Sequence, residues 1–123
     1  MKKLALFICL FTITVSFSQT TKEDLIGKWQ LLTLTIDGTV LTTYEAVETD
    51  DFYHEYLEDK TFKTTLDETT DEGTWELSGE TLNIFLSTKS GEIHFKILEI
   101  SADELHVLDT EEEEEIILSF KKV

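Results

Sequence analysis

Gly73-Thr-Trp-Glu-Leu-Ser-Gly-Glu-Thr-Leu-Asn-Ile-Phe-Leu86 reads as two short strands joined by a turn. Trp75 and Leu77 alternate with polar residues, and after Ser78-Gly79-Glu80 the alternation resumes at Leu82, Ile84 and Leu86. Period-two alternation broken by a glycine-bearing turn is a hairpin with one apolar face.

The same pattern extends in both directions. Upstream lie Gly27 to Ile36, ended by Asp37-Gly38; Asp51 to Leu57, with Phe52, His54 and Tyr56 on one face; and Thr61 to Leu66. The acidic stretch Asp67 to Glu72 is expected to turn the chain into Gly73 to Leu77. Downstream, Ser90-Gly91 leads into Glu92 to Ile100, followed by Leu105 to Asp109 and Glu115 to Lys121. In Glu92 to Ile100 the apolar face switches after Ile97, which predicts a β-bulge near Ile97-Leu98. No stretch sustains the spacing of an amphipathic helix. The sequence therefore predicts an all-β fold of eight strands. Short links from the second strand onward force antiparallel neighbours, an up-and-down meander. Closing that meander into a barrel removes its exposed edges, and eight strands enclose room for side chains or one small ligand.

Two segments break the pattern. Thr21 to Ile26 has a threonine followed three residues later by an acid, and reads as one helical turn. Thr39 to Asp50 is the longest link and carries Val40, Leu41, Tyr44 and Val47. It is expected to be a lid over one barrel mouth or a disordered loop, with Tyr44 and Val47 placed to cover the mouth.

Gly27-Lys28-Trp29 opens the first strand just after that helical turn, and Gly73-Thr74-Trp75 repeats the motif. With the aromatic hairpin Tyr56 to Phe62, Leu82-x-Ile84, Leu105-x-Val107 and the tail Phe120-Lys121-Lys122-Val123, the mature chain resembles the small secreted lipocalin-like domains of bacteria. The resemblance implies a barrel whose end is marked by Gly27 and plugged by Trp29, and a small apolar molecule as cargo. Many lipocalins stack an arginine on this tryptophan. The chain has no arginine, and Lys121 or Lys122 is expected to cover the ring instead.

The N-terminus points to export. Met1-Lys2-Lys3 is basic, Leu4 to Phe17 is mostly apolar, and Ser16-Phe17-Ser18 puts small residues before a cut at Gln19. Residues 1–18 read as a signal peptide and residues 19–123 as one lipocalin-like β-barrel domain, periplasmic or secreted. The apolar run is too short for a comfortable membrane span, which needs about 20 residues, so no stable membrane anchor is expected. Cys9, the one cysteine, lies inside this segment, so the mature chain holds no disulfide and no thiolate zinc site. Lys2 and Lys3 leave with it. Eight lysines then face 26 acidic residues, a net charge of −18. Such a surface repels phosphate backbones, which argues against nucleic-acid partners.

The candidate cavity is drawn from inward positions: Phe52, His54, Tyr56, Phe62, Thr64, Trp75 and Phe95. His54 either meets a ligand's polar end or is a core histidine bonded to Tyr53, Tyr56 or backbone; the tendency of buried polar groups to find protein partners favours the second. His94 and His106 face solvent on this reading and are expected to be unpaired. Glu111 to Glu115, Glu48 to Asp51 and Asp67 to Glu72 lack the shaped loop of a calcium site, so no metal and no cofactor are expected. No nucleophile sits beside a base, so no catalytic residue is assigned and no enzyme is expected. The function expected is an exported small-ligand binding module for a neutral or cationic apolar molecule. The alternative is a non-enzymatic structural or protein-interaction domain with a filled barrel and an acidic surface.

Overall fold

The computed structural model describes residues 22–87 and 91–123. The proposed signal peptide and Ser90 of the expected Ser90-Gly91 turn lie outside them. After a one-turn helix, α1 (Lys22–Leu25), come β1 (Gly27–Ile36), β2 (Thr39–Thr42), a short helix α2 (Thr43–Val47), β3 (Phe52–Tyr56), β4 (Thr61–Leu66), β5 (Thr69–Ser78), β6 (Thr81–Leu86), β7 (Glu92–Ile100), β8 (Glu104–Asp109) and β9 (Ile116–Lys122).

Consecutive strands from β3 to β9 pair antiparallel, and β1 pairs with both β3 and β9. The result is a closed eight-stranded antiparallel meander barrel. The seam is long: β1 and β9 stay in register from Trp29↔Lys122 to Ile36↔Ile116, with one irregularity between Leu31 and Thr33. The bulge expected in β7 lies between Ile97 and Glu99. It lets Phe95 and Ile97 face inward while Leu98 is turned out to 46% exposure.

Two expectations about segments are corrected. The acidic stretch 67–72 is not all turn: β5 already starts at Thr69, and Asp67-Glu68 alone make the bend, with Asp67 in the left-handed region. The 39–50 segment is neither lid nor loop. β2 turns back at Asp37-Gly38, both at positive φ as a tight hairpin needs, and pairs with the outer half of β1. There it occupies the flank that β3 leaves, since β3 contacts only Gly27 to Gln30 of β1. α2 follows with a reciprocal cap between Thr42 and Glu45. The buried Thr43 hydroxyl then donates to the Leu31 carbonyl at 2.6 Å. Tyr44, expected to cover the mouth, is 58% exposed, and Val47 is half-buried. This ninth strand was missed because its four residues are too few to show alternation.

The core is contiguous. Trp29, Leu31, Tyr56, Phe62, Trp75, Leu82, Ile84, Phe95, Val107 and Phe120 are buried, as alternation predicts, with Leu25 of α1 closing one end. At Gly73 the β6 backbone leaves no room for a side chain. A Cβ built there meets the Phe85 carbonyl oxygen at 1.9 Å, so the position accepts no side chain.

Candidate functional site

The barrel has two unlike ends. At the end where β1 begins, Trp29 is fully buried and its Nε1 donates to the Leu25 carbonyl at 2.9 Å. Lys122, not Lys121, covers it, with Nζ 4.7 Å from the ring centroid and donating to the Ile26 carbonyl at 2.9 Å. Trp75 is anchored alike, its Nε1 donating to the Leu57 carbonyl, with Lys60 over its ring. Both indole N–H groups are thus satisfied, and this end is sealed.

Above the seal sits β3. Phe52, His54 and Tyr56 share its inner face. His54 stands directly across from Trp29 on β1 and from Thr64 on β4, and Tyr56 across from Phe62. The His54 ring lies 5.1 Å from Phe62, 4.9 Å from Phe120, 6.3 Å from Phe95 and 5.4 Å from Phe52, centroid to centroid. Tyr56 meets Phe62 and, edge-on, Trp75. The structure therefore brings together six of the seven candidate cavity residues through ring contacts. Thr64 is half-buried beside them. Phe120, from the last strand, belongs to the same cluster and was not among the candidates.

Polarity within this cluster is unusual. His54 is 5% exposed and Tyr56 1%. Among the described residues, neither His54 Nδ1 nor the Tyr56 hydroxyl has a hydrogen-bond partner. The expected bonding of His54 to Tyr53, Tyr56 or backbone is thus not found at Nδ1, and the rings of Phe52, Phe62, Phe95 and Phe120 pack on the imidazole. Burial holds the imidazole neutral, pushing its pKa down to about 3, and drives the Tyr56 phenol above its ordinary value.

The interior toward the other end is lined by apolar side chains. Leu34, Phe52, Leu86, Ile93 and Ile116 come from five different strands, are half-buried and pack on the core. Each has the inward parity of its strand, and together they form a collar above His54 and Phe95, with Leu34 level with Leu118. Sequence reasoning placed the cavity among the lower aromatics, which fill the barrel. The collar's signal was present in the strand-end apolar residues that abut acidic turns.

The rim above the collar is acidic. It is built from Asp37, the Asp67-Glu68 bend, the 48–51 segment and Glu111 to Glu115. Asp37 and Glu115 tie two of these loops together: Asp37 N–H donates to the Glu115 carbonyl, and Glu115 N–H to the Asp37 carboxylate. The described lysines lie elsewhere. Lys22, Lys28, Lys60, Lys121 and Lys122 gather at the sealed end, Lys96 opposes the start of β6, and Lys63 sits within β4.

The two outward histidines are not unpaired, as expected, but bonded. His94 Nδ1 pairs with Asn83 Oδ1, while Nε2 lies 3.5 Å from Glu111 and 3.6 Å from Glu92. His106 Nδ1 lies 2.8 Å from Ser119 Oγ and its Nε2 3.2 Å from Glu104. This row borders an outer depression of about 520 Å³, lined also by Leu32, Asp103 and Lys122. Serine, histidine and acid in line suggest a nucleophile, yet β8 and β9 are each paired on both sides, which engages the N–H groups an oxyanion hole requires. Among the described residues no group of three or more His, Cys, Asp or Glu side chains is placed to hold a metal ion, and no helix is long and apolar enough to cross a membrane.

A small closed antiparallel barrel, plugged at one end by tryptophan under a cation, is the lipocalin architecture in reduced form. The chain belongs to the lipocalin-like domain family, whose pattern matches residues 25–107. It is similar in structure to a lipocalin-like protein from Bacteroides uniformis, at 24% identity and a TM-score of 0.65, covering 81% of this chain and 99% of that one. It is also similar to an uncharacterized protein from Bacteroides eggerthii, at 17% identity and a TM-score of 0.61, covering 80% and 99%. No curated protein matches the chain in sequence.

Proposed function

We propose that this chain is an exported, non-enzymatic module that binds a neutral or cationic apolar small molecule in the half of the barrel away from Trp29. The observation that carries the reading is the pair of buried polar atoms, His54 Nδ1 and Tyr56 Oη, without protein partners among the described residues. Leaving such groups unsatisfied costs about 1–3 kcal/mol each, a cost that a ligand's polar group removes. Apolar walls with a few convergent polar atoms are the usual make-up of a small-molecule site. Titration with an apolar fluorescent probe tests the reading, in wild type and in Phe95→Trp, which fills the floor. Binding by the wild type and weaker binding by the variant are expected; no binding by either, or equal binding by both, overturns it.

The mutual ring contacts of His54, Phe62, Phe95 and Phe120 favour a second reading, a filled barrel that meets a protein partner through its acidic surface. Native mass spectrometry of the purified protein separates the two, since only a ligand carrier retains a small molecule. Export itself is tested by N-terminal sequencing, with the mature chain starting at or within about two residues of Gln19.

A further inference from the structure

On the outer wall of the barrel the geometry points to Ser119 as an acyl acceptor: its hydroxyl takes an apolar acyl group, once, from an activated ester, with His106 as its base and Glu104 positioning His106.

The hydrogen-bond roles follow from the partners. His106 Nε2 lies 3.2 Å from a Glu104 carboxylate oxygen, and a carboxylate only accepts, so the neutral imidazole carries its proton on Nε2. Nδ1 then bears the lone pair, and it faces Ser119 Oγ at 2.8 Å. The serine hydroxyl must therefore donate to the imidazole, which is the polarity of a nucleophile beside its base. Ser101 supplies a contrast. Its exposed hydroxyl donates to the Asp103 carboxylate at 3.2 Å and has no imidazole.

The backbone is irregular at the same level. Ser119 and His106 are directly paired across β9 and β8. β1 breaks register between Leu31 and Thr33, opposite Ser119, and β7 between Ile97 and Glu99, opposite His106. One cross-strand row thus holds both bulges with the two reactive side chains between them. Each bulge turns a leucine outward, Leu32 to 43% exposure and Leu98 to 46%. Bulges of this kind re-aim side chains beside functional sites.

The outer depression of about 520 Å³ lies against this row, and its lining includes Leu32, Glu104, His106, Ser119 and Lys121. Leu32 gives an acyl chain an apolar wall. Lys121 is the next outward residue of β9 and is exposed, and among the described residues no ion pair engages it. Its ammonium is the group available to the oxyanion where the strand N–H groups are already engaged.

In the step itself, Ser119 Oγ attacks the acyl carbon as its proton passes to His106 Nδ1. The bond from that carbon to the ester's leaving oxygen breaks, and the proton leaves His106 for that oxygen or for solvent. The product is an ester on Ser119. One flexible ammonium in place of preorganised backbone donors restricts the donor to esters with a good leaving group, and leaves the acyl group in place rather than turned over.

The experiment incubates the purified protein with p-nitrophenyl butyrate and reads intact mass and mapped peptides, with alkaline hydroxylamine separating a serine ester from a lysine amide. One hydroxylamine-labile butyryl group on Ser119 is expected, formed about a hundredfold faster than on Ser101 in the same molecule. His106→Gln, at a half-buried outer position, should slow this labelling about a hundredfold at an unchanged melting temperature, and Ser119→Ala should abolish it. Glu104→Gln keeps an acceptor oxygen for Nε2 and should retain most of the rate, whereas Glu104→Leu should slow it toward that of His106→Gln. Label on lysines with Ser119 unmodified, equal rates at Ser119 and Ser101, or an unchanged Ser119 rate in His106→Gln each overturns the acyl acceptor. A wild-type rate in Glu104→Leu overturns the positioning role and leaves the nucleophile and base standing. The comparison of Ser119 with Ser101 needs no variant, and none of these outcomes bears on what the barrel interior binds.

Discussion

Lys122 holds the sealed end twice over: its ammonium lies 4.7 Å above the Trp29 ring and also donates to the Ile26 carbonyl just before β1. One side chain from the last strand thereby fixes both the plug and the chain's entry into the first strand. Lysine serves where many lipocalins use arginine because the second bond is to a single carbonyl, which a point donor satisfies as well as a fork.

This arrangement gives a first prediction. Lys122→Met keeps the stem and removes the charge, and should cost about 2 kcal/mol, combining a cation–π contact with a charged hydrogen bond. Trp29→Ala should cost about 3–5 kcal/mol by leaving a cavity. Urea unfolding reads both, and a loss below about 1 kcal/mol for Trp29→Ala would mean the plug is not packed.

Gly27 is constrained by the same lysine. Its φ is +139°, and a Cβ there would lie 2.5 Å from Lys122 Cε. Gly27→Ala should therefore be destabilising, and shortening the neighbour in Gly27→Ala/Lys122→Ala should relieve the clash but not the backbone strain of about 1–3 kcal/mol. Coupling between the two sites in a double-mutant cycle checks this.

Gly73 offers a contrasting case. The obstacle to a side chain is the Phe85 carbonyl, which is backbone and cannot swing aside. Gly73→Ala should cost about 3 kcal/mol or more, with no single second-site change restoring it. A melting temperature within a few degrees of wild type would contradict the close approach of β5 and β6.

His54 makes stability depend on pH. Its folded pKa is depressed from 6.5 to about 3, so between these values the unfolded chain binds a proton that the folded chain refuses. Stability is fully present above about pH 6.5 and falls as pH drops toward 3, by about 2 kcal/mol at pH 5. The acidic surface titrates in the same range, so the measurable quantity is the difference between wild type and His54→Phe. That difference should shift in the variant's favour as pH falls from 7 to 5. A pH-independent difference would show the imidazole reaching water.

Most of the barrel was legible in sequence because burial on one face enforces alternation, as in Phe52-x-His54-x-Tyr56 and Ile116-x-Leu118-x-Phe120. The bulge in β7 was legible for the same reason, as a change of face at Ile97-Leu98. β2 was not, since its four residues are too few to show alternation and Val40 is 61% exposed. The aromatic cluster around His54 was foreseen as a cavity wall and is found packed ring against ring, because alternation gives direction but not how closely side chains pack. The partners of His94 and His106 were hidden because Asn83 and Ser119 are neighbours only across strands.

The β1–β9 seam carries one more consequence. It joins residues as far apart as Ile26 and Lys122, 96 positions along the chain. Ring closure must therefore wait for the final strand, a late and slow event by the usual dependence of folding speed on contact distance. Until then β1 and β8 are raw edges, ready to pair with another copy. A nascent chain cut before Ile116 would be a ribbon rather than a ring, prone to stick to its own kind, so synthesis and closure are tied to the arrival of seven residues.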